Sequence, residues 1–527
     1  MPQLRVALAQ VNPCVGDILG NAAMIAGCCR EAAAAGAHLV VFGEMALTGY
    51  PVEDLALRES FVAGSTRALQ ALSARLADDR CGELAVVVGY LDADAAGPRD
   101  AAAVLYRGQV VARQFKHHLP NYGVFDERRY FIPGTTLTVF RLHGAEVGIV
   151  ICEDLWQAGG PITALARAGV DLVVAPNASP YERAKDDTRF ALVARRATEL
   201  GVPLVYTNLV GGQDELVFDG DSMVVGGCGE LLVRAPQFAA RILVHDLELP
   251  GGSGRAAGRF AGLEVRRIVL ADDPLPPYPP LPPAAAATPL SEEAEVWGAL
   301  VTGLRDYTHK NGFSSVVLGL SGGIDSAVCA ALAVDALGAD AVHGISMPSS
   351  YSSSHSQTDA ADLAGRTGLR YQVRPIASMV EVFVRQLELS GVAEENVQAR
   401  CRGVILMALS NQHGHLVLAT GNKSELAVGY STIYGDAVGG FAPIKDVPKT
   451  MVWILARWRN EVAEQRGETP PIPPNSISKP PSAELRPGQL DTDSLPGYDV
   501  LDGVLDDYVE GDHGFSDLVA AGVAPEL

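Results

Sequence analysis

Aromatic residues make up only 6% of the 527-residue chain and charged residues 20%. The charge is also lopsided, with 41 Lys and Arg against 62 Asp and Glu, a net of -21. So few cations argue against a nucleic-acid partner, because binding a phosphate backbone needs Lys and Arg gathered on one face. A local basic pocket can still hold a nucleotide, since net charge speaks to solubility and not to a single site. No uninterrupted apolar run reaches the roughly 18 residues that a membrane helix needs, so no membrane partner is expected. The opening MPQLRVALAQVNP lacks a basic stretch followed by an apolar one, the mark of a secretory signal. The eight cysteines include no C-x-x-C pair. They read as reduced, mostly buried thiols of a cytoplasmic protein, one of them available as a nucleophile. No internal repeat is visible.

The length exceeds one ordinary core, which predicts two domains, and 48% hydrophobic residues provide material for both. Between 271 and 293 the stretch DDPLPPYPPLPPAAAATPLSEE carries prolines that exclude helix interiors and central strands. It predicts a semi-rigid surface connector between domains at 1–270 and 294–527. Before it, RVALAQV, HLVVFGE, ELAVVVGY and VGIVICE read as strands, and the stretches around Ala22–Ala35 and Ser65–Ala77 as helices. Further strand-like runs (VVARQFK, LTVFRL, DLVVAPN, PLVYTN, SMVVGG) predict an α/β sandwich with a large mixed sheet. After the connector, SSVVLGL, SAVCAALAVDALG and AVHGISMP give the strand–helix–strand order of a parallel doubly wound sheet. A second proline-rich stretch, TPPIPPNSISKPPSAELRPGQ, is expected to be an ordered or ligand-gated loop rather than a linker.

Three strand ends in the N-terminal half finish in a reactive side chain: Glu44 in VVFGEMALTGYP, Lys116 in RQFKHHLPNYGVFDE and Cys152 in GIVICEDLW. Singly, such a Cys is usually a small core hydrophobe and such a Glu or Lys a solvated surface group. Together they are what attack on an amide requires: a thiol, a base to take its proton, and a cation for the developing oxyanion. With these flanks the first 270 residues resemble the nitrilase superfamily, whose α-β-β-α sandwich carries a Glu-Lys-Cys triad. The resemblance implies Cys152 as nucleophile, Glu44 as general base and Lys116 as the oxyanion-side cation. It also implies that Tyr122, Ser179 and Lys185 position glutamine. Glu127 and Glu153 stand either as supporting carboxylates or as groups that only orient Lys116.

In VVLGLSGGIDSAV a strand ends at Leu320, the backbone turns through Gly322 and Gly323, and a helix opens near Ser326. Small residues let backbone amides approach an anion, and the helix start adds a partial positive charge. Any one glycine turn is weak evidence, but S-G-G-x-D-S after an apolar strand resembles the ATP-pyrophosphatase group, whose domain is a doubly wound HUP-like sheet. The motif differs from the phosphate loop that carries G-K-[ST]. EENVQARCR, LATGNKSELAVGYSTIYGD, PIKDVPKT and SKPPSAELRPGQLDTDSLPGYDVLD further resemble the NAD synthetases. That resemblance implies ATP contacts from Gly319, Leu320, Ser321, Gly322, Gly323, Ile324, Asp325, Ser326, Thr420, Lys449 and Ser482. It implies a deamido-NAD site at Asn396, Arg400, Glu425, Tyr430, Ser431, Thr432 and Ile433. Asp325 and Glu425 are expected to hold Mg2+, against a plainer reading as a helix-capping Asp and a surface Glu.

The combined resemblance, to glutamine-dependent NAD synthetases, implies ammonia release from glutamine in one half. In the other, ATP adenylates deamido-NAD and ammonia converts the adenylate to NAD, releasing AMP and pyrophosphate. It also implies a sheltered passage for ammonia, a homo-oligomer, and no tightly bound organic cofactor. The family normally continues beyond VAAGVAPEL with a basic K-R-x-Q segment that is not in this sequence. Two rival expectations therefore remain: a nitrilase-type amidase with a silent C-terminal half, and a non-enzymatic nucleotide-binding scaffold.

Overall fold

The computed structural model describes residues 2–183, 185–251, 258–282, 286–525 and 527. The chain divides into two compact units, Met1–Glu295 and Val296–Leu527.

Among the described residues the first unit holds two mixed sheets. One runs in the order Arg241–Glu248, Gln3–Gln10, Leu39–Phe42, Ala85–Asp94, Gly97–Tyr106, Gln109–Phe115. The other is ordered Leu231–Arg234, Met223–Val225, Leu204–Asn208, Leu172–Asn177, Ala145–Ile149, Thr136–Leu142, Leu263–Ala271, Gly258–Phe260. Alternation along each strand decides what each face meets. In Gln3–Gln10, Leu4, Val6 and Leu8 pack against Phe140, Val147 and Val174 of the other sheet. Ala7 and Ala9 instead face Ile25, Leu69 and Leu72 of the helices Ile18–Ala34 and Glu59–Asp78. The second sheet is covered in the same way by Gly160–Ala168 and Lys185–Leu200. The result is a four-layer α-β-β-α sandwich.

The first helix begins four residues before the sequence-based start, at Ile18, because Asp17 caps it by accepting the Gly20 N–H at 2.9 Å. Of the predicted connector, residues 283–285 lie outside the described residues. Its earlier part is pinned to the first unit: Arg5 stacks over Tyr278 at 5.0 Å and donates to the Pro279 carbonyl at 2.7 Å.

The second unit carries a parallel sheet in the order Arg370–Val373, Val342–Ser346, Val316–Gly319, Leu416–Val417. Leu318 packs toward the helices Ile324–Leu337 and Lys449–Gln465 on one face, and Val317 toward Ala377–Leu387 and Val392–His413 on the other. The sheet is therefore doubly wound. From Val316–Gly319 the chain crosses to Val342–Ser346 on one side, while Leu416–Val417 pairs on the other. Strand order reverses there, which opens a crevice at the carboxyl ends of the strands. Among the described residues, no helix is long and apolar enough to cross a membrane.

Candidate active sites

In the first unit Glu44 follows the strand Leu39–Phe42, Lys116 follows Gln109–Phe115 and Cys152 follows Ala145–Ile149. The close approach of two backbones fixes the first of these. A β-carbon on Gly89 would lie 2.2 Å from the Met45 nitrogen, so only glycine lets the Glu44 turn sit against its neighbouring strand. Cys152 has φ +43° and ψ -97°, a strained turn between the strand and the helix Glu153–Trp156, held by its N–H to the Pro176 carbonyl at 3.1 Å.

Lys116 is 1% exposed, and its Nζ donates to Glu44 Oε1 at 2.6 Å and to Glu127 Oε1 at 2.8 Å. Asp100 Oδ2 is 3.5 Å away. Oxygens of Glu44, Asp100 and Glu127 lie within 4.8 Å of one another, an arrangement fit for a cation, and the Lys116 ammonium is that cation. One positive charge cannot hold three buried carboxylates ionised. Burial pushes the Glu44 carboxyl up, but Lys116 and the Ala178 N–H, at 2.9 Å, outweigh it, and Glu44 ends below its ordinary range. Burial and the charge of Glu44 push Asp100 well up, and burial lifts Glu127 to about 7. Burial pulls Lys116 down, yet the charges of Glu127, Glu44 and Asp100 carry it well above its usual value. The Cys152 thiol is raised by burial first and then by Glu44, with Lys116 pulling the other way. The resting state is therefore a protonated thiol beside an ionised Glu44.

Tyr122 is 55% exposed, and its hydroxyl donates to Glu153 Oε2 at 2.9 Å. Glu153 also accepts from Gln157, so it serves Tyr122, whereas Glu127 bonds Lys116 and accepts from the Tyr50 hydroxyl at 2.9 Å. Ser179 is buried, its N–H bonded to Asn208 Oδ1 at 2.9 Å. Lys185 opens the helix Lys185–Leu200, 5.9 Å above the Trp156 ring. Two carboxylates escaped the sequence reading. Asp154 is fully buried and accepts the N–H groups of His117, His118 and Ile151 at 3.1, 2.8 and 3.1 Å, stapling the Lys116 loop to the Cys152 turn. Asp100 is buried within a small-residue strand, and that interruption was its only signal.

In the second unit the crevice opens into a cavity of about 330 Å3. Gly319, Leu320, Ser321, Gly323, Ile324, Asp325, Ser326, Thr420, Lys449 and Ser482 line it, as do Glu425, Tyr430 and Ser431. Gly322 is not in the lining but shapes the turn. It has φ +81°, a β-carbon there would lie 2.3 Å from the Ser356 carbonyl, and its own carbonyl accepts from Ser476 at 2.9 Å. Asn396, Arg400, Thr432 and Ile433 also lie outside the lining. They join one another, Thr432 Oγ1 donating to Asn396 Oδ1 at 2.9 Å and Arg400 Nε to the Ile433 carbonyl at 3.3 Å.

Lys449 Nζ donates to Asp325 Oδ2 at 2.6 Å and to Glu425 Oε1 at 3.1 Å. Burial and the neighbouring Asp325 lift Glu425 to about 7. Asn422 ties the two residues together: its amide donates to the Asp325 carboxylate at 2.9 Å, and its side-chain oxygen caps the helix Lys423–Ala427 by accepting the backbone N–H of Glu425 at 3.0 Å. The second proline-rich stretch holds the short helix Pro474–Ser478 and adds Lys479 and Glu484 to the lining, with Glu484 accepting from Ser353 at 3.0 Å.

Models of two families match the chain: carbon–nitrogen hydrolase over residues 5–253 and NAD synthase over residues 296–526. The class defined by fold and sites is thus an amide-cleaving sandwich joined to a nucleotide-binding synthetase sheet. Glutamine-dependent NAD(+) synthetases from Acinetobacter baylyi and Xylella fastidiosa (strain 9a5c) are 42% and 44% identical to it, covering 100% and 99% of this chain and 92% and 91% of those proteins. The solved glutamine-dependent NAD+ synthetase of Acinetobacter baumannii, in complex with ADP, superposes with a TM-score of 0.78 at 39% identity, over 99% of this chain and 91% of that one. The chain belongs to the family of glutamine-dependent NAD(+) synthetases.

Proposed function

We propose that the chain makes NAD from deamido-NAD and ATP, using ammonia that it releases from glutamine. The observation that carries this reading is the pairing, in one chain, of a thiol–carboxylate–ammonium cluster with a cavity walled by the S-G-G-I-D-S turn.

In the first unit Cys152 attacks the side-chain amide carbon of glutamine while Glu44 takes the thiol proton. Because the thiol is protonated at rest, deprotonation and attack go together. The Lys116 ammonium steadies the oxyanion, Glu44 passes the thiol proton to the amide nitrogen so that ammonia leaves, and Glu44, ionised again, takes a proton from the water that hydrolyses the thioester to glutamate. Tyr122, Ser179 and Lys185 hold the glutamine. In the second unit the nicotinate carboxylate attacks the α-phosphate of ATP and pyrophosphate leaves. Ammonia then attacks the adenylate and AMP leaves. The turn from Gly319 to Ser326 cradles phosphates with Thr420, Lys449 and Ser482. Glu425, Tyr430 and Ser431 place the dinucleotide, whose far end reaches the Asn396–Thr432 and Arg400–Ile433 pairs.

Asp325 and Glu425 both line the cavity and offer the hard carboxylate oxygens that suit a dication beside phosphates. They would hold Mg2+, which supplies neutralisation of phosphate charge. The setting is a cytoplasmic homo-oligomer. The silent-half reading is not favoured, because the synthetase unit keeps its cavity and its paired ions.

Cys152→Ala tests the reading. NAD formation driven by glutamine is lost and formation driven by ammonium is retained. Loss of both overturns the independence of the sites, and no ammonium-driven NAD in the parent leaves only the amidase.

A further inference from the structure

Among the described residues three cations line the synthetase cavity: Arg402, Lys449 and Lys479. Two are already engaged. Lys449 pairs with Asp325 and Glu425 at 2.6 and 3.1 Å, and Lys479 with Asp359 at 3.1 Å. Arg402, on the helix Val392–His413, is different. Its Nε donates to the Met347 carbonyl at 3.1 Å, and its two terminal nitrogens have no hydrogen-bond partner among the described residues. Asp436 and Glu484 are near enough to feel its charge but are bonded elsewhere. Asp436 accepts the Thr432 N–H at 2.6 Å, and Glu484 the hydroxyls of Ser353 and Ser356 at 3.0 and 2.6 Å.

A half-buried guanidinium that lines a cavity with no carboxylate bonded to it favours an anionic ligand, and arginine stays protonated while it waits for one. Burial pulls Arg402 below its ordinary value, while the charges of Asp436 and Glu484 push the other way. Its position explains what would satisfy it. Met347 directly follows the strand Val342–Ser346, and Ile345 in that strand accepts the Leu320 N–H at 2.9 Å, so Arg402 is anchored one strand from the phosphate turn. Using Nε for the anchor leaves the planar pair of terminal nitrogens free, the edge that grips an oxyanion in two-pronged fashion. A mere strut between helix and strand would use one of five N–H groups and leave the rest in the cavity wall.

We infer that Arg402 is an oxyanion subsite of the synthetase cavity, its terminal nitrogens holding a phosphoryl or carboxylate oxygen of ATP or of deamido-NAD. The inference rests on the reading of this cavity as the nucleotide site. It adds a binding residue to that reading.

The test is steady-state NAD formation by the full chain with ammonium as nitrogen source, varying ATP and deamido-NAD separately. Removing one partner of a charge-assisted bond lowers binding about 30- to 100-fold. Arg402→Met should raise the KM of a nucleotide by that factor. A rise confined to ATP assigns the oxyanion to its phosphates, one confined to deamido-NAD assigns it to the dinucleotide, and a rise in both places Arg402 where they meet. Arg402→Lys keeps the charge without the fork and should raise the same KM by about 10-fold or less; it also serves if the Met variant does not fold. Both KM values within about threefold of the parent, whether or not the melting temperature falls, overturn the inference. If the parent makes no NAD from ammonium, the functional reading itself has failed, which is a separate result.

Discussion

The two units use the same device, a buried lysine held between carboxylates, to opposite ends. Lys116 and Lys449 are each 1% exposed. Around Lys116 the partners Glu44, Asp100 and Glu127 are buried as well, at 1, 2 and 3%. Around Lys449 the side chains of Asp325 and Glu425 each retain 18% exposure and line a cavity. The first cluster is dry and closed, so it sets protonation states before glutamine arrives: Glu44 ionised, Cys152 protonated. The second is open at one side, so an incoming polyanion can rearrange it. On the proposed reading, one site serves proton transfer and oxyanion stabilisation and the other positions phosphates.

The sharpest way to break this contrast is to remove each lysine. Lys116→Met leaves three carboxyls in a dry pocket without their counter-charge. We expect glutamine hydrolysis to fall by about 10³-fold or more and stability by about 3–5 kcal/mol. Lys449→Met should cost synthesis about 10²-fold but stability only about 1 kcal/mol, because its partners are screened by solvent. Melting curves beside ammonium-driven and glutamine-driven assays decide it. Equal destabilisation of the two variants would erase the distinction between closed and open clusters.

Backbone substitutions come next. Gly89→Ala drives a β-carbon to 2.2 Å from the Met45 nitrogen, and Gly322→Ala to 2.3 Å from the Ser356 carbonyl at φ +81°. Each should destabilise its unit by about 2–4 kcal/mol, since backbone cannot move aside as a side chain can. The activities should separate: Gly89→Ala impairs glutamine hydrolysis, and Gly322→Ala impairs ammonium-driven synthesis. Loss of synthesis with ammonium in Gly89→Ala would show that the two sites do not fail independently.

A smaller effect follows from Glu127, whose carboxyl is lifted by burial from 4.5 to about 7. The folded state holds this proton more tightly than the unfolded chain does. Below about pH 4.5 both states are protonated and nothing is lost. As pH rises toward 7 the unfolded chain ionises first, so stability declines and then levels off, by at most about 3 kcal/mol. Glu127→Gln should flatten this part of the melting profile. A Gln variant with the parent's slope would assign the titration to another group, such as Glu425 in the open cluster.

These residues also show what sequence can carry. Glu44, Lys116 and Cys152 stand out as candidates because each sits at a strand end inside its own run of distinctive flanks, and the S-G-G-I-D-S turn because it is contiguous. Asp100 does not, since its role arises only when the strand Gly97–Tyr106 pairs with Gln109–Phe115 and brings it under the Lys116 ammonium. Asp154 stood in a quoted motif, but its three backbone partners come from two segments. In the second unit Lys479 and Glu484 stand in the quoted motif SKPPSAELRPGQ, from which the sequence reading singled out only Ser482, and both line the cavity. The sandwich strands were legible from their apolar runs, while their division between two sheets depended on pairing that no local pattern encodes.

The smallest expected effect probes where the open site ends. Ile433 is 67% exposed and lies outside the cavity lining, so truncating it removes little packing. Ile433→Ala should leave folding stability unchanged within about 0.5 kcal/mol, as surface substitutions do. If the dinucleotide reaches past the cavity mouth to the Arg400–Ile433 pair, its far end loses an apolar contact worth about 1 kcal/mol. The KM for deamido-NAD then rises about 3- to 5-fold while that for ATP stays put. A shift in the ATP KM instead would mean that Ile433 supports the phosphate end, and an unchanged pair of constants would confine the dinucleotide to the cavity itself. Either result redraws the open site without touching the closed one, because nothing in the Lys116 cluster depends on Ile433.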